Sequence, residues 1–366
     1  MTSLPPSSAP PAPGAQRERL LYLDLLRFIA IFANPVVHST GPLTLSADKF
    51  ERLLSLVYLA VGMTTIPWLL MVSGALLLAN TRPMSISTLY RKRLLKIVIP
   101  LVAWSVFYYT FDIHPNDSVL TIAATFLKGF LTLTWSGPLW FLYMIAAIYL
   151  MLPFLRPAFA GDTLKLSLVC VAIILGTHTL DFLVHLAFRQ PLNQTFTGTI
   201  FSYFVAYFIL GNVLIRVKPK IPGGCATLAI VFLLCAAVMA FGEFLAKTSD
   251  FAQPDIFCAF QNPLLAIMGA CGFLFFKNWN PSFPRPIARL VLWLSSVSYG
   301  VYLSHMVILK LLSGEIPLFF QPGHGLDCYT ISPLVGPTLC GVATFIVAAP
   351  LIALMKRIPV LRWMVP

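Results

Sequence analysis

Ten apolar stretches, most of them about 20 residues long, follow one another along 366 residues with short polar connections between them. A helix needs about 20 apolar residues to cross a hydrocarbon core. In lipid every backbone N–H and C=O must be satisfied within the protein, which favours helices or closed barrels. Runs of this length point to helices, so the expected fold is all-α: a polytopic transmembrane bundle of about ten spans. They are read at approximately 21–40, 56–79, 94–111, 138–156, 164–185, 198–217, 224–245, 256–276, 290–312 and 332–355. Only 10% of the residues are charged and the mean hydropathy is +0.84, against about 25% charged in a soluble domain. There is too little charge to cover a globular surface.

The formal charge of +12 raises nucleic acid as a partner, and its distribution argues against one. With the N-terminus inside, most Lys and Arg fall on the cytoplasmic side. The outer side receives only Lys49, Arg52, Lys128, Arg189, Lys247 and Lys310. This is the positive-inside pattern, and it puts both termini in the cytoplasm. The excess charge reports topology and leaves room for an anionic cytoplasmic ligand. Seven cysteines are scattered, mostly within apolar runs, with no CxxC pair. Neither a disulfide framework nor a zinc site is indicated. Cys328 sits clearly in an outer loop, and Cys258, near an outer helix end, is the partner topology would allow it.

Residues 1–19 are rich in Pro, Ser and Ala and close with Arg17-Glu18-Arg19, which reads as a disordered cytoplasmic tail. Residues 20–366 then form one transmembrane domain. The first apolar run is placed like a signal peptide, but its length, the embedded Arg27 and the lack of a small-residue cleavage site favour a retained helix. An apolar portion from Ser118 to Thr134 lies in the interface or re-enters. Twenty-nine prolines imply kinked or broken helices. No internal repeat is visible, which counts against the commonest transporter plans.

Four constellations carry candidate chemistry. The first is Asp24, Arg27, Asn34 and His38 on the opening helix. Eleven residues separate Arg27 from His38, which returns the helix to within about 20° of the same face and climbs about 16 Å. Asp24 and Arg27, three apart, can pair and lower the cost of burying the guanidinium. Asn34, four before His38, can orient the imidazole. The plainer alternative has Arg27 snorkelling and His38 bonded to a neighbouring helix.

The second is the basic run Tyr90-Arg91-Lys92-Arg93-Leu94-Leu95-Lys96 ahead of Pro100. Arg93 and Lys96 share a helix face and suit phosphates, Arg as a fork and Lys as a point charge. The same residues serve equally as topology signals or lipid anchors. The third is Ser298, Tyr302 and His305 on one face of the ninth span, either interhelical glue or the wall of a site. The fourth is His178, Asp181 and His185, spaced for three metal ligands but lacking any supporting motif; no metal is expected. Glu243 is a buried carboxylate with no partner apparent from sequence. Trp135 and Trp140 bracket an outer mouth, where an aromatic belt is the default.

Taken together these pieces resemble the integral membrane acyltransferase family 3. The matching segments run in order: Leu23-Asp24-Leu25-Leu26-Arg27 leading to His38 as an Arg-X10-His signature; Met71-Val72-Ser73-Gly74; the basic run before Pro100; Leu139-Trp140-Phe141-Leu142; and Ser298-Tyr299-Gly300-Val301-Tyr302-Leu303-Ser304-His305. Tyr203 to Gly211 is also similar to the stand-alone sugar O-acetyltransferases of that family. The resemblance implies a multi-pass enzyme of the bacterial cytoplasmic (inner) membrane. It would move an acyl group from cytoplasmic acyl-CoA, acetyl-CoA or another, to a hydroxyl of a cell-surface or lipid-linked glycan.

On that footing His38 is the expected general base, with Asn34, Arg27 and Asp24 beside it in the catalytic group. A covalent acyl-His38 intermediate is the main variant. Arg91, Arg93, Lys96 and Arg27 are the expected acyl-CoA contacts, and Ser298, Tyr302, His305 and Trp140 line the site. One departure stands out: relatives often carry Arg-X-X-Arg where this chain has Arg93-Leu94-Leu95-Lys96, so a second bidentate fork is missing. Little sequence follows the tenth span, so the hydrolase-like C-terminal domain of some relatives is not expected. The contrasting readings are a proton-coupled transporter of a glycan precursor or small anion, and an inactive scaffold for glycan assembly.

Overall fold

The computed structural model describes residues 20–366 apart from 80–84, 112, 114–116, 133–134, 136, 162, 200–201, 250, 319, 322–323 and 331. The tail expected over 1–19 lies outside the described residues. The architecture is all-α, 76% helix with no strand among the described residues. Twelve helices of 13 residues or more build it among the described residues. They are α1 (Leu21–His38), α2 (Lys49–Gly62), α3 (Thr65–Leu77), α4 (Leu95–Tyr109), α5 (Val119–Thr132) and α6 (Trp140–Phe159). The second half adds α7 (Leu164–Phe188), α8 (Tyr203–Arg216), α9 (Gly224–Thr248), α10 (Pro263–Trp279), α11 (Arg285–Ser313) and α12 (Gly336–Met355).

Among the described residues seven segments are long and apolar enough to cross a membrane: α1, α2 with α3 as Lys49–Leu77, Gly137–Phe159, α7, α9, α11 and α12. The other three expected spans are shorter, for local reasons. α8 starts only after Ser202, whose hydroxyl accepts the Phe204 N–H at 3.3 Å and fixes the helix N-terminus. α10 starts at Pro263 because Asn262 caps it, accepting the Leu264 N–H at 2.9 Å. α4 begins only at Leu95, after the turn Tyr90–Leu94 that carries Arg91, Lys92 and Arg93, and so has 15 residues. The expected 56–79 span instead begins at Lys49, behind an Asp48 cap, and divides at Met63–Thr64 into two helices. The apolar Ser118–Thr134 segment contains a helix, α5, with Val119, Leu120 and Leu131 exposed.

α1 is packed against α3, α11 and α12. Val36 fills the space over Gly341 of α12, and Val37 the space over Gly62 of α2. A closer crossing joins α3 to α8. There a Cβ on Gly74 would strike the Phe208 backbone, and one on Gly211 the Met71 backbone. Small residues at a crossing let backbones approach where dispersion and hydrogen bonds must drive association. The last carbonyls of α8 and its exit are satisfied from α10. Lys277 Nζ donates to Leu214 O at 2.7 Å, Ile215 O at 2.9 Å and Val217 O at 2.5 Å. Large apolar side chains such as Phe154, Ile173, Leu233 and Leu234 are exposed on the outside, a surface suited to lipid rather than water.

Candidate functional site

Asp24 is buried on α1 at 5% exposure and is held from two helices. Ser295 Oγ of α11 donates to its Oδ1 at 2.7 Å, and Arg27 Nη1 lies 3.7 Å from the same oxygen. The expected i,i+3 pair is present, and the contact from α11 fixes how α1 is rotated. Arg27 then lines a cavity of ≈ 300 Å³ together with Arg93, Lys96, Ser298 and Tyr302. Its apolar stretch is supplied by Ile31, Leu69, Phe141 and Ile145. Tyr149 and Ser73 are also on the wall, with Arg27 and Arg93 close enough to act on the phenol electrostatically.

The basic run reaches this cavity through an irregularity. Residues Tyr90–Leu94 form a π-turn, closed by the Leu95 N–H bonding to Tyr90 O. Such turns insert one residue into a helix and recur at functional sites. Arg93 and Lys96 are exposed and on the cavity wall; Arg91 is exposed and not among the lining residues. A second unforeseen wall comes from the segment after α12. Lys356 Nζ donates to Ser296 O at 2.6 Å, Trp104 Nε1 donates to Met364 O at 3.1 Å, Val365 is fully buried and Pro366 lines the cavity. The only signal for that docking in the sequence is the apolar character of Val360–Val365.

His38 stands at the C-terminal end of α1, where it is exposed. Its neighbour is His305, fully buried on α11, with ring centroids 5.2 Å apart and planes at 37°. His305 Nδ1 lies 2.5 Å from Tyr302 O. The Tyr302 hydroxyl donates to Pro138 O, and its ring meets Phe141 edge-on at 5.5 Å and His305 at 5.7 Å. His38 does not line the ≈ 300 Å³ cavity; Tyr302 does. Tyr302 is therefore the residue that touches both the cation-lined cavity and the histidine pair. Ser298, also on the wall, donates to Ser295 O at 2.8 Å.

Other expected residues sit elsewhere. Asn34 Nδ2 donates to Ala30 O at 3.3 Å, a carbonyl that also accepts from Thr65 Oγ1 at 3.0 Å. Trp140 packs on Phe204 and Phe260, at 5.6 and 5.3 Å between centroids, in an aromatic cluster away from the cavity wall. The His178, Asp181 and His185 trio has separate partners. His178 meets Tyr203 edge-on at 5.1 Å, Asp181 accepts the Leu192 N–H at 2.8 Å and His185 bonds Gln253 at 2.5 Å. Among the described residues no group of three or more His, Cys, Asp or Glu is arranged to hold a metal.

Glu243 has its partners in the segment ahead of α10, accepting the N–H of Asp255 at 2.6 Å and of Phe257 at 3.1 Å, with Lys247 at 3.6 Å. It pins a loop. Cys328 and Cys258 are free thiols, and burial pushes the Cys328 thiol up to about 11.

Comparison with known proteins adds one match. A family model described as an acyltransferase domain, acyltransferase family 3, matches residues 20–353. No curated protein and no solved structure matches the chain.

Proposed function

The chain belongs to acyltransferase family 3, and on that premise we propose that it carries an acyl group, acetyl first, from acyl-CoA to a glycan hydroxyl across the bacterial inner membrane. The supporting observation is the convergence of Arg27, Arg93 and Lys96 on one cavity whose wall includes Tyr302. Coenzyme A is a polyanion. Its phosphates suit Arg93 and Lys96, a fork and a point charge, and its pantetheine arm suits the apolar stretch of Ile31, Leu69, Phe141 and Ile145. Arg27 lies about 16 Å along α1 from His38. Its role is therefore on the donor's arm, and the reacting carbonyl belongs near Tyr302 and the histidines.

A thioester is already activated, so the enzyme has to deprotonate the incoming hydroxyl and stabilise the oxyanion. In this reading the free nitrogen of neutral His38 takes the acceptor's proton as its oxygen attacks the thioester carbon. The C–S bond breaks, and the CoA thiolate takes that proton from His38. Tyr302, released from Pro138 O, or Ser298 donates to the oxyanion. An acyl-His38 intermediate is the covalent variant. The acceptor is a cell-surface or lipid-linked saccharide that meets His38 where it is exposed at the end of α1.

The test is transfer of label from acetyl-CoA to a lipid-linked glycan extract by protein in nanodiscs. His38→Ala should abolish transfer while acetyl-CoA binding stays within about threefold, an effect of the size general bases carry, about 10²–10⁴. Retained turnover in His38→Ala overturns the base assignment. A chain that binds no acyl-CoA would instead fit the proton-coupled transporter reading.

A further inference from the structure

His305 has one nitrogen accounted for and one not. A carbonyl oxygen only accepts, so the 2.5 Å contact between His305 Nδ1 and Tyr302 O requires the proton on Nδ1. In the neutral ring Nε2 is then an acceptor, and it is buried with no hydrogen-bond partner among the described residues. Buried polar atoms are nearly always satisfied, and an orphan at a site calls for a functional explanation. The polar ring beside it is His38, 5.2 Å away between centroids. That is the span of an in-line imidazole–imidazole hydrogen bond, about 2.9 Å between nitrogens plus roughly 1.1 Å from each nitrogen to its ring centre. The planes differ by 37°, and His38 is exposed at its helix end, so its ring is free to turn an N–H towards that lone pair.

We propose that His305 is a positioning residue for His38, its Nε2 accepting the His38 ring N–H and thereby selecting the tautomer that leaves the other His38 nitrogen free. This rests on the reading of His38 as the base. The two nitrogens of an imidazole are distinguished by the bond one of them makes, and Asn34, the orienting residue suggested by spacing, is bonded to Ala30 O. The support is a backbone group: the Tyr302 carbonyl, three residues back on the same helix, holds His305 Nδ1. His305 keeps its own proton throughout, and the only proton that moves is the acceptor's, to His38 and on to the departing thiolate.

The experiment compares wild type, His305→Leu, His305→Gln and His38→Ala in nanodiscs. Its readouts are histidine ¹⁵N NMR, with His38 assigned by loss of its signals in His38→Ala, and label transfer from acetyl-CoA to a lipid-linked glycan extract. Acetyl-CoA binding checks that each variant is folded. Expected are a single His38 tautomer in wild type and a mixture in His305→Leu. The latter should lose about 10–100-fold in kcat, the effect of removing a partner that orients an imidazole, with KM for acetyl-CoA unchanged. His305→Gln, whose carbonyl can accept, should recover most of that loss. An unchanged His38 tautomer in His305→Leu, or wild-type kcat there while His38→Ala is inactive, overturns the proposal and leaves the base reading standing. Turnover in His38→Ala overturns the base reading itself.

Discussion

Ser295 of α11 donates a 2.7 Å hydrogen bond to Asp24 of α1, the same carboxylate that Arg27 pairs at 3.7 Å. A single oxygen thus links the helix bearing Arg27 and His38 to the helix bearing Ser298, Tyr302 and His305. Interhelical hydrogen bonds in bilayers contribute about 0.6–1.7 kcal/mol, and a charged acceptor favours the upper end. Ser295→Ala should lower thermal stability by about that amount in nanodisc unfolding. Asp24→Ala should cost more, since it also removes the carboxylate that Arg27 pairs at 3.7 Å. Equal, negligible losses for both would show that this carboxylate does not hold the helices in register.

The α3–α8 crossing predicts an all-or-none response. A methyl at Gly74 meets backbone of Phe208 rather than a movable side chain, so relief requires the helices to separate. Overpacking of this kind costs about 1–3 kcal/mol or more. Gly74→Ala should give little monodisperse protein by size-exclusion chromatography, whereas Gly176→Ala, with open space at its Cβ, should behave as wild type.

Thiol chemistry reports on the Glu243 pin. Burial, and next the Glu243 charge, push the Cys258 thiol up to about 12. Below that value the thiolate fraction rises tenfold per pH unit. Maleimide labelling at Cys258, scored against Cys258→Ser, should therefore be slow at neutral pH and climb without a plateau through pH 10. Glu243→Ala removes the charge and frees the Asp255 and Phe257 N–H groups, so labelling at pH 7 should accelerate at least about tenfold, matching a drop of one unit. Identical rates in both proteins would show that Glu243 does not pin the loop.

Sequence carried the helical class because long apolar runs and a one-sided charge distribution are properties of the chain itself. The Asp24–Arg27 pair was legible for the same reason, being set by spacing on one helix, whereas Arg93 and Lys96 share their cavity across the junction of the π-turn and α4. What escaped depends on other elements. Arg91 lies on the π-turn at Tyr90–Leu94 and off the wall, and no residue pattern signals that turn. Glu243 bonds backbone N–H groups, which carry no sequence label. Trp140 was expected at the site, and it packs with Phe204 and Phe260 because α8 and the segment before α10 deliver those rings. The contact between His38 and His305 needs α1 and α11 side by side, a packing that spacing along either helix does not give.

The central claim is that the Arg27–Arg93–Lys96 cavity takes an acyl-CoA, and equilibrium binding of acetyl-, propionyl- and succinyl-CoA to the protein in nanodiscs tests it most directly. We predict micromolar binding of one of them, weakened about tenfold in Arg93→Ala, as for loss of one charge-assisted contact of about 1.4 kcal/mol. Lys96→Ala should weaken it similarly, and Arg91→Ala, off the cavity wall, by less than about twofold. Binding of no acyl-CoA by the folded protein, or equal losses from Arg91→Ala and Arg93→Ala, would contradict the account.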